Sequence, residues 1–392
     1  MLDRAGTLLR GELLERFRAG VDSPIAEDEF NRLALRVFDY QYERNRPYAA
    51  YCDRRDRTPA SVTHWSQIPA VPTAAFKEVT LVCGKPEDAE AVFRTSGTTR
   101  GPERRGRHYV LDLTLYHGSL LPTFAAYVLP DGAELPILSL VPSAAEIPDS
   151  SLSHMISVVM DRLGSPKSGY FATVEAGLDI DRLHAALRTH EEAGTPVCIV
   201  GTSLAFVHWT DHLLAAGTRF SLAPGSRLMD TGGYKGAARE WSAAEMHERY
   251  RTLLGIGPVA CVNEYGMTEL FSQAYDVALR ERVKSLGEAW AISPAGDDAA
   301  GVSPRVKRAP PWVRTTVVDP DTLEPVPPGA VGLLRHLDLA NLGSVACVQT
   351  EDLGRALDDG GFELLGRVAG AAPRGCSIAM DLLLEAAHER RS

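Results

Sequence analysis

Lysine is nearly missing from this chain: Lys77, Lys85, Lys167, Lys235, Lys284 and Lys307 are the only ones among 41 basic residues. The balance is acidic, with a formal charge of -10, which argues against the basic face that a nucleic-acid-binding surface needs to displace counterions. Uninterrupted apolar runs of about 18 residues are absent, so no membrane-spanning helix is expected. The six Cys, at 52, 83, 198, 261, 347 and 376, are scattered with no C-x-x-C pair and no zinc-like spacing. The first residues open onto an amphipathic pattern and not onto an apolar signal core. A cytoplasmic protein with reduced thiols is the expectation.

What is present is an ordinary globular composition, 45% hydrophobic and 23% charged over 392 residues, enough for two or three domains. Leu8, Leu9, Leu13, Leu14 and Phe17 recur at helical spacing, as do Phe30, Leu33, Leu35, Val37 and Phe38. Further on, Leu135 to Val141 and Pro196 to Gly201 read as buried strands, and Ser151 to Leu163 and Asp179 to Ala193 as helices. Strands alternating with helices imply an α/β sheet with helices packed on its faces. After about residue 310 the texture changes to short β segments, Val313 to Val318, Val331 to Leu337 and Ser344 to Gln349, separated by Asp-Pro and Pro-Pro-Gly turns. The expected organisation is an α/β core over residues 1–310, a β-rich subdomain over 311–366 and a short C-terminal tail over 367–392.

The chemistry-bearing stretch is Thr95-Ser96-Gly97-Thr98-Thr99. Hydroxyls and backbone N–H groups clustered about a glycine make an anion cradle, because glycine lets the backbone approach a phosphate and Ser and Thr add donors without bulk. It lacks the G-x-x-x-x-G-K-[ST] spacing of a Walker A loop. On residue types alone a polar turn remains the alternative.

Thr95 to Thr99 resembles the phosphate-binding loop of the adenylate-forming superfamily of acyl-CoA synthetases, luciferases and peptide-synthetase adenylation domains. Three more matches follow in order. Asn263-Glu264-Tyr265-Gly266-Met267-Thr268-Glu269 resembles its Y-G-x-T-E signature, Thr350-Glu351-Asp352 its T-G-D segment with Glu351 in place of Gly, and Leu365-Gly366-Arg367 the G-R at its hinge. The resemblance implies ATP as cosubstrate. Tyr265 and Gly266 would lie against adenine, Thr268 would donate to the α-phosphate, Glu269 would hold Mg²⁺, a hard cation that prefers oxygen ligands, and Asp352 and Arg367 would fix the ribose. The plain alternatives are a core aromatic for Tyr265, a solvated helix-start acid for Glu269 and a turn for Asp352-Leu353-Gly354.

A narrower family fits as well. Pro72 to Glu78, Asp230-Thr231-Gly232-Gly233-Tyr234-Lys235-Gly236 and Arg374-Gly375-Cys376-Ser377 together resemble the LuxE-like acyl-protein synthetases. That resemblance implies Gly232 and Gly233 beside the nucleotide. It implies Cys376 as a nucleophile that takes the acyl group from AMP as a thioester, and an acyl-accepting partner such as a fatty-acyl reductase. Arg374 is expected to lower the thiol pKa, and Gly375 to let the sulfur swing. The superfamily's mobile C-terminal domain is expected to be absent or vestigial. Since no Lys follows Lys307, another cation must offset the α-phosphate charge, with Lys235, Lys77 and Arg100 as candidates. Two other readings stay open: a carboxylate–CoA ligase of the phenylacetate type, and an inactive scaffold that binds a partner enzyme. Fatty, aromatic and amino acids all remain eligible substrates.

Overall fold

The structure, a computed structural model, describes residues 2–95, 105–233, 241–291, 305–368 and 373–389. Three helices open it: α1 (Arg4–Arg18), α2 (Glu27–Arg44) and α3 (Arg46–Asp53). The stripe of α1 buries Leu9, Leu13, Leu14 and Phe17, whereas Leu8, grouped with them by spacing, is 65% exposed. Strand β1 (Val71–Pro72), the single-turn helix α4 (Ala75–Glu78) and a hairpin of β2 (Ala91–Arg94) and β3 (Arg107–Val110) follow.

The α/β half comprises α5 (Leu113–Val128), β4 (Ile137–Ser139), α6 (Ser151–Leu163), β5 (Gly169–Tyr170), the small pair β6 (Ala172–Thr173) and β7 (Gly177–Leu178), and α7 (Ile180–Glu192). It continues through β8 (Cys198–Thr202), α8 (Ser203–Ala215), β9 (Arg227–Thr231), α9 (Ala243–Leu254), β10 (Cys261–Tyr265), β11 (Ala274–Asp276) and α10 (Ala278–Leu286). The last part holds β12 (Val306–Arg308), β13 (Val313–Val318), β14 (Val331–Asp338), β15 (Cys347–Ala356), β16 (Phe362–Arg367) and α11 (Arg374–Glu389).

One mixed sheet carries this order as β13-β14-β15-β16-β12-β11-β10-β9-β8-β4-β5, with β1 paired parallel to β15. Strands β5, β4, β8, β9 and β10 run parallel and the others of this path antiparallel, so the β-rich segment continues the α/β sheet edge to edge. Buried parallel strands read as continuous apolar runs, which is why Val197 to Val200 and Ile137 to Leu138 stood out in the sequence.

The segment read as a strand over Ser344 to Gln349 begins as strand only at Cys347. Residues before it form a turn gripped by side chains from the N-terminal helices. Gln41 Nε2 donates to the carbonyls of Asn341 at 2.8 Å and Leu342 at 3.2 Å, and its Oε1 accepts from the Ala346 amide at 3.0 Å. Asn45 Nδ2 donates to the Ser344 carbonyl. Gln41→Ala removes these three buried bonds, and we expect on the order of 3 kcal/mol of destabilisation by urea unfolding. An unchanged midpoint would show the turn to be held otherwise.

The stretch expected as a tail is the helix α11. It packs on α3, with Arg54 paired to Glu385 at 2.6 Å. Among the described residues no helix is long and apolar enough to cross a membrane.

Candidate functional site

In sheets of this kind ligands gather beyond the carboxyl ends of the parallel strands. Here β9 ends at Thr231-Gly232-Gly233 and β10 at Tyr265-Gly266, paired side by side in register. Gly232 has a φ of +86°, a conformation that side chains other than glycine rarely adopt. Its carbonyl accepts from Ser203 Oγ at 3.2 Å, at the start of α8, and Asn263 Nδ2 donates to Asp230 Oδ1 at 2.8 Å. Lys307 is buried and fully engaged, donating to Asn263 Oδ1 and O and to Asp276. It braces β10 from behind and is spoken for.

Tyr265 is 9% exposed, with its ring tilted against His336 and edge-on to Phe362. Its hydroxyl donates to Asp352 Oδ2 at 2.9 Å. Asp352 therefore lies in strand β15 and not in a turn, and one of its oxygens is already oriented by the tyrosine. Burial raises the Asp352 pKa. Arg367 faces Asp352 across the β15–β16 pair and binds Glu351 at 2.9 Å. Glu351, the residue that departs from the superfamily pattern, thus supplies the partner of Arg367.

Glu269 is 7% exposed, and burial pushes its carboxyl up to about 7, against the opposing pull of the Arg367 and Lys77 charges. Among the described residues no cationic nitrogen lies within ion-pair distance of it. The backbone that carries it is held from beneath. His108 Nδ1 lies 2.6 Å from the Thr268 carbonyl and Nε2 lies 3.0 Å from Asn341 Oδ1, while Asn341 Nδ2 donates to the Glu269 and Val345 carbonyls. Both partners of the imidazole are acceptors, which draws a second proton onto it, whereas burial holds its pKa down to about 4. Thr268 Oγ1 sits 3.4 Å from Ser151 Oγ in the first turn of α6.

Thr95 closes the base of the β2–β3 hairpin. Its amide donates to the Gly106 carbonyl, and its Oγ1 accepts from the Gly106 amide at 2.8 Å. Ser96, Gly97, Thr98, Thr99 and Arg100 lie outside the described residues, as does Lys235. Arg105 turns inward onto the carbonyls of Thr95 and Arg94.

Cys376 departs from expectation. It is 3% exposed in the first turn of α11, and burial, with Glu351 nearby, pushes its thiol up to about 11. Arg374 is exposed, and the cation that acts on the sulfur is Arg335. Gly375 serves close approach in place of swing, since a Cβ there would stand 2.7 Å from Leu323 Cγ and 2.8 Å from the Pro320 carbonyl. The thiol of this conformation is not activated.

Sequence reasoning passed over Glu264. Its carboxyl is buried, is pushed up to about 7 by desolvation, and accepts from the Thr231 hydroxyl. A side chain at Gly266 would collide with it, so the glycine of the signature makes room for this carboxyl. His108 and Asn341 were also missed. No local pattern marks them, because their partners are far away in the sequence.

Comparison with known proteins places this arrangement. The family model described as acyl-protein synthetase, LuxE, matches residues 299–384, the segment holding Asp352, Arg367 and Cys376. The chain is 22% identical over 360 residues to the long-chain-fatty-acid–luciferin-component ligase of Vibrio harveyi, covering 89% of this chain and 86% of that one. It is 20% identical over 362 residues to the protein of the same name from Aliivibrio fischeri, covering 89% and 87%. Among solved structures, 2-hydroxyisobutyryl-CoA ligase with 2-HIB-AMP and CoA superposes with a TM-score of 0.57 at 14% identity, over 88% of this chain and 71% of that one. The same ligase in its postadenylation state gives 0.57 at 15%, over 88% and 69%. The fold is that of an adenylate-forming ligase, and the resemblance to the LuxE-like acyl-protein synthetases read from the sequence is borne out.

Proposed function

We propose, from this kinship with the LuxE acyl-protein synthetases, that the chain is a ligase that activates a carboxylic acid with ATP as an acyl-adenylate, carries the acyl group on Cys376 and passes it to a partner protein. The observation that supports it most is Glu269, a buried carboxyl that has no cationic nitrogen at ion-pair distance among the described residues and lies close enough to Asp352 for their charges to interact. Such a group fits a hard divalent cation brought in with the nucleotide, and Mg²⁺ bound there would neutralise phosphate charge. Tyr265 orients Asp352 toward a ribose, with Arg367 beside it. Gly232 and Gly233, where a side chain would meet open space, leave room for the adenine ring, and Thr268 offers a hydroxyl to the α-phosphate. Thr95 precedes Ser96-Gly97-Thr98-Thr99, the segment that would hold the pyrophosphate end, and Lys235, after Gly233 in the sequence, is a candidate cation.

A long-chain fatty acid is the substrate class that the name of the two relatives suggests, and a fatty-acyl reductase is the partner that the family resemblance implies. The second reading, direct transfer to CoA, draws on the buried state of Cys376 and on the CoA ligase fold. Acid-dependent ATP–pyrophosphate exchange without CoA, over a panel of chain lengths and aromatic acids, tests the first reading. Exchange should be detectable with at least one acid. Silence across the panel, or acyl-CoA as the product when CoA is added, would sink it.

Tyr265→Phe separates positioning from packing. The ring stays, but the bond to Asp352 goes. The KM for ATP should rise roughly 10-fold, in line with about 1.4 kcal/mol for one hydrogen bond to a charged group. An unchanged KM would remove Asp352 from the nucleotide site.

A further inference from the structure

Adenylation brings two anions together. A carboxylate oxygen forms a bond to the α-phosphorus, the bond from that phosphorus to the bridging oxygen breaks, and the electron pair leaves with pyrophosphate. A fixed positive charge beside the α-phosphate is worth most as that charge shifts.

Among the described residues, Arg367 and Lys77 are side-chain cations that act on Glu269. Arg367 is neutralised by Glu351 and 63% of its side chain is exposed. Lys307, the remaining Lys near these strands among the described residues, is locked to Asp276 and Asn263. Lys77 is different. Among the described residues it has no acidic partner at ion-pair distance, though its charge reaches the Glu269 carboxyl. Its stem runs along the base of the phosphate-loop hairpin. A Cβ on Gly106 would meet Lys77 Cγ at 3.4 Å and Thr95 Cγ2 at 3.1 Å, so glycine at 106 keeps this passage open. The turn that carries Lys77 is anchored by Phe76, whose ring packs edge-on to His108 at 5.5 Å, the same imidazole that supports Thr268. One buried ring therefore sets the position of both the lysine turn and the Thr268-Glu269 backbone.

We infer that Lys77, whose stem passes Thr95 and whose charge reaches Glu269, is a catalytic residue of the adenylation step, its ammonium binding the α-phosphate oxygen as pyrophosphate departs. The assignment rests on the adenylation reading above. It makes the N-terminal part of the chain, and not a segment after the β16 strand, the source of the transition-state cation.

The test compares Lys77→Met, which keeps most of the stem, and Lys77→Arg with the unmodified chain in ATP–pyrophosphate exchange, alongside equilibrium binding of ATP and thermal melting. Lys77→Met should lower kcat for exchange about 100-fold or more, the usual loss on removing one transition-state charge contact, with KM for ATP within about threefold. Lys77→Arg should recover part of kcat. Melting temperatures should stay at the parent value, because the ammonium is exposed. Exchange by Lys77→Met within threefold of the parent overturns the assignment. So does a loss that appears wholly in KM, or one that tracks a fall in melting temperature. Absence of exchange in the parent chain with every acid would instead sink the adenylation reading itself.

Discussion

Glu269→Gln is expected to raise the melting temperature at pH 8 and at the same time to lower acid-dependent pyrophosphate exchange by at least about 100-fold. The stability half follows from linkage. The carboxyl sits at about 7 in the folded chain against 4.5 for its reference value, so the folded state holds the proton more tightly than the unfolded one. As pH rises from about 4.5 to about 7 the unfolded chain ionises first, and stability falls over that window. Above it the full cost is present, about 3 kcal/mol from the size of the shift, and glutamine removes it. The gain should be roughly 3–6 °C at pH 8 and should vanish at pH 4.5. A melting temperature that does not change between the two proteins at pH 8, or retained exchange, would contradict the placement of Glu269 as a carboxyl kept costly for function. Glu264→Gln should show the same pH-dependent gain, since its carboxyl is raised to a similar value by the same cause.

Cys376→Ala is expected to leave exchange within about threefold of the parent while abolishing a base-labile acyl label on the protein. The sulfur is far from activated where it stands: burial keeps its pKa near 11, so under one thiol in a thousand is ionised at pH 7. Acyl transfer through it requires the first turn of α11 to leave the Pro320–Leu323 turn, where the Gly375 amide donates to the Pro320 carbonyl at 3.0 Å. Alkylation by iodoacetamide should accordingly be slow in the free protein and accelerate at least about tenfold when acid, ATP and magnesium are supplied. A label that survives in Cys376→Ala would assign the thioester elsewhere, and fast alkylation at rest would show that the thiol is not held buried.

The parts of this molecule that were legible in the sequence are those with a local period or a contiguous motif. Helix α6 and strand β13 fall on the expected bounds. The motif residues Tyr265 and Asp352, 87 positions apart, are joined through the tyrosine hydroxyl. The α11 helix was legible too and was missed. Cys376, Ala379, Leu383 and Ala386 are all buried and fall on one helical stripe, yet the glycine before the cysteine suggested a loose tail. Other features had no sequence signal at all. The carboxyl of Glu264 becomes unusual only once Gly266 and Thr231 enclose it. His108 matters because Thr268 and Asn341 reach it from 160 and 233 residues away. Whether Lys77 or Lys307 is the uncommitted cation depends on Asp276, which spacing does not reveal.

The grip of Gln41 and Asn45 on the turn at 341–346 sets an order on biosynthesis. These two side chains are fully buried and find their acceptors about 300 residues downstream. The β1 strand likewise waits for Val348 and Gln349. Until that segment has left the ribosome, the N-terminal helices have apolar stripes but no partner for their buried amides. Their docking is therefore a late event, coupled to arrival of the segment that also carries Asn341 and, through it, Glu269. A nascent chain stopped before that point should expose α2 to protease, and one extended past it should protect α2, so completion of the site and closure of the N-terminal half become a single step.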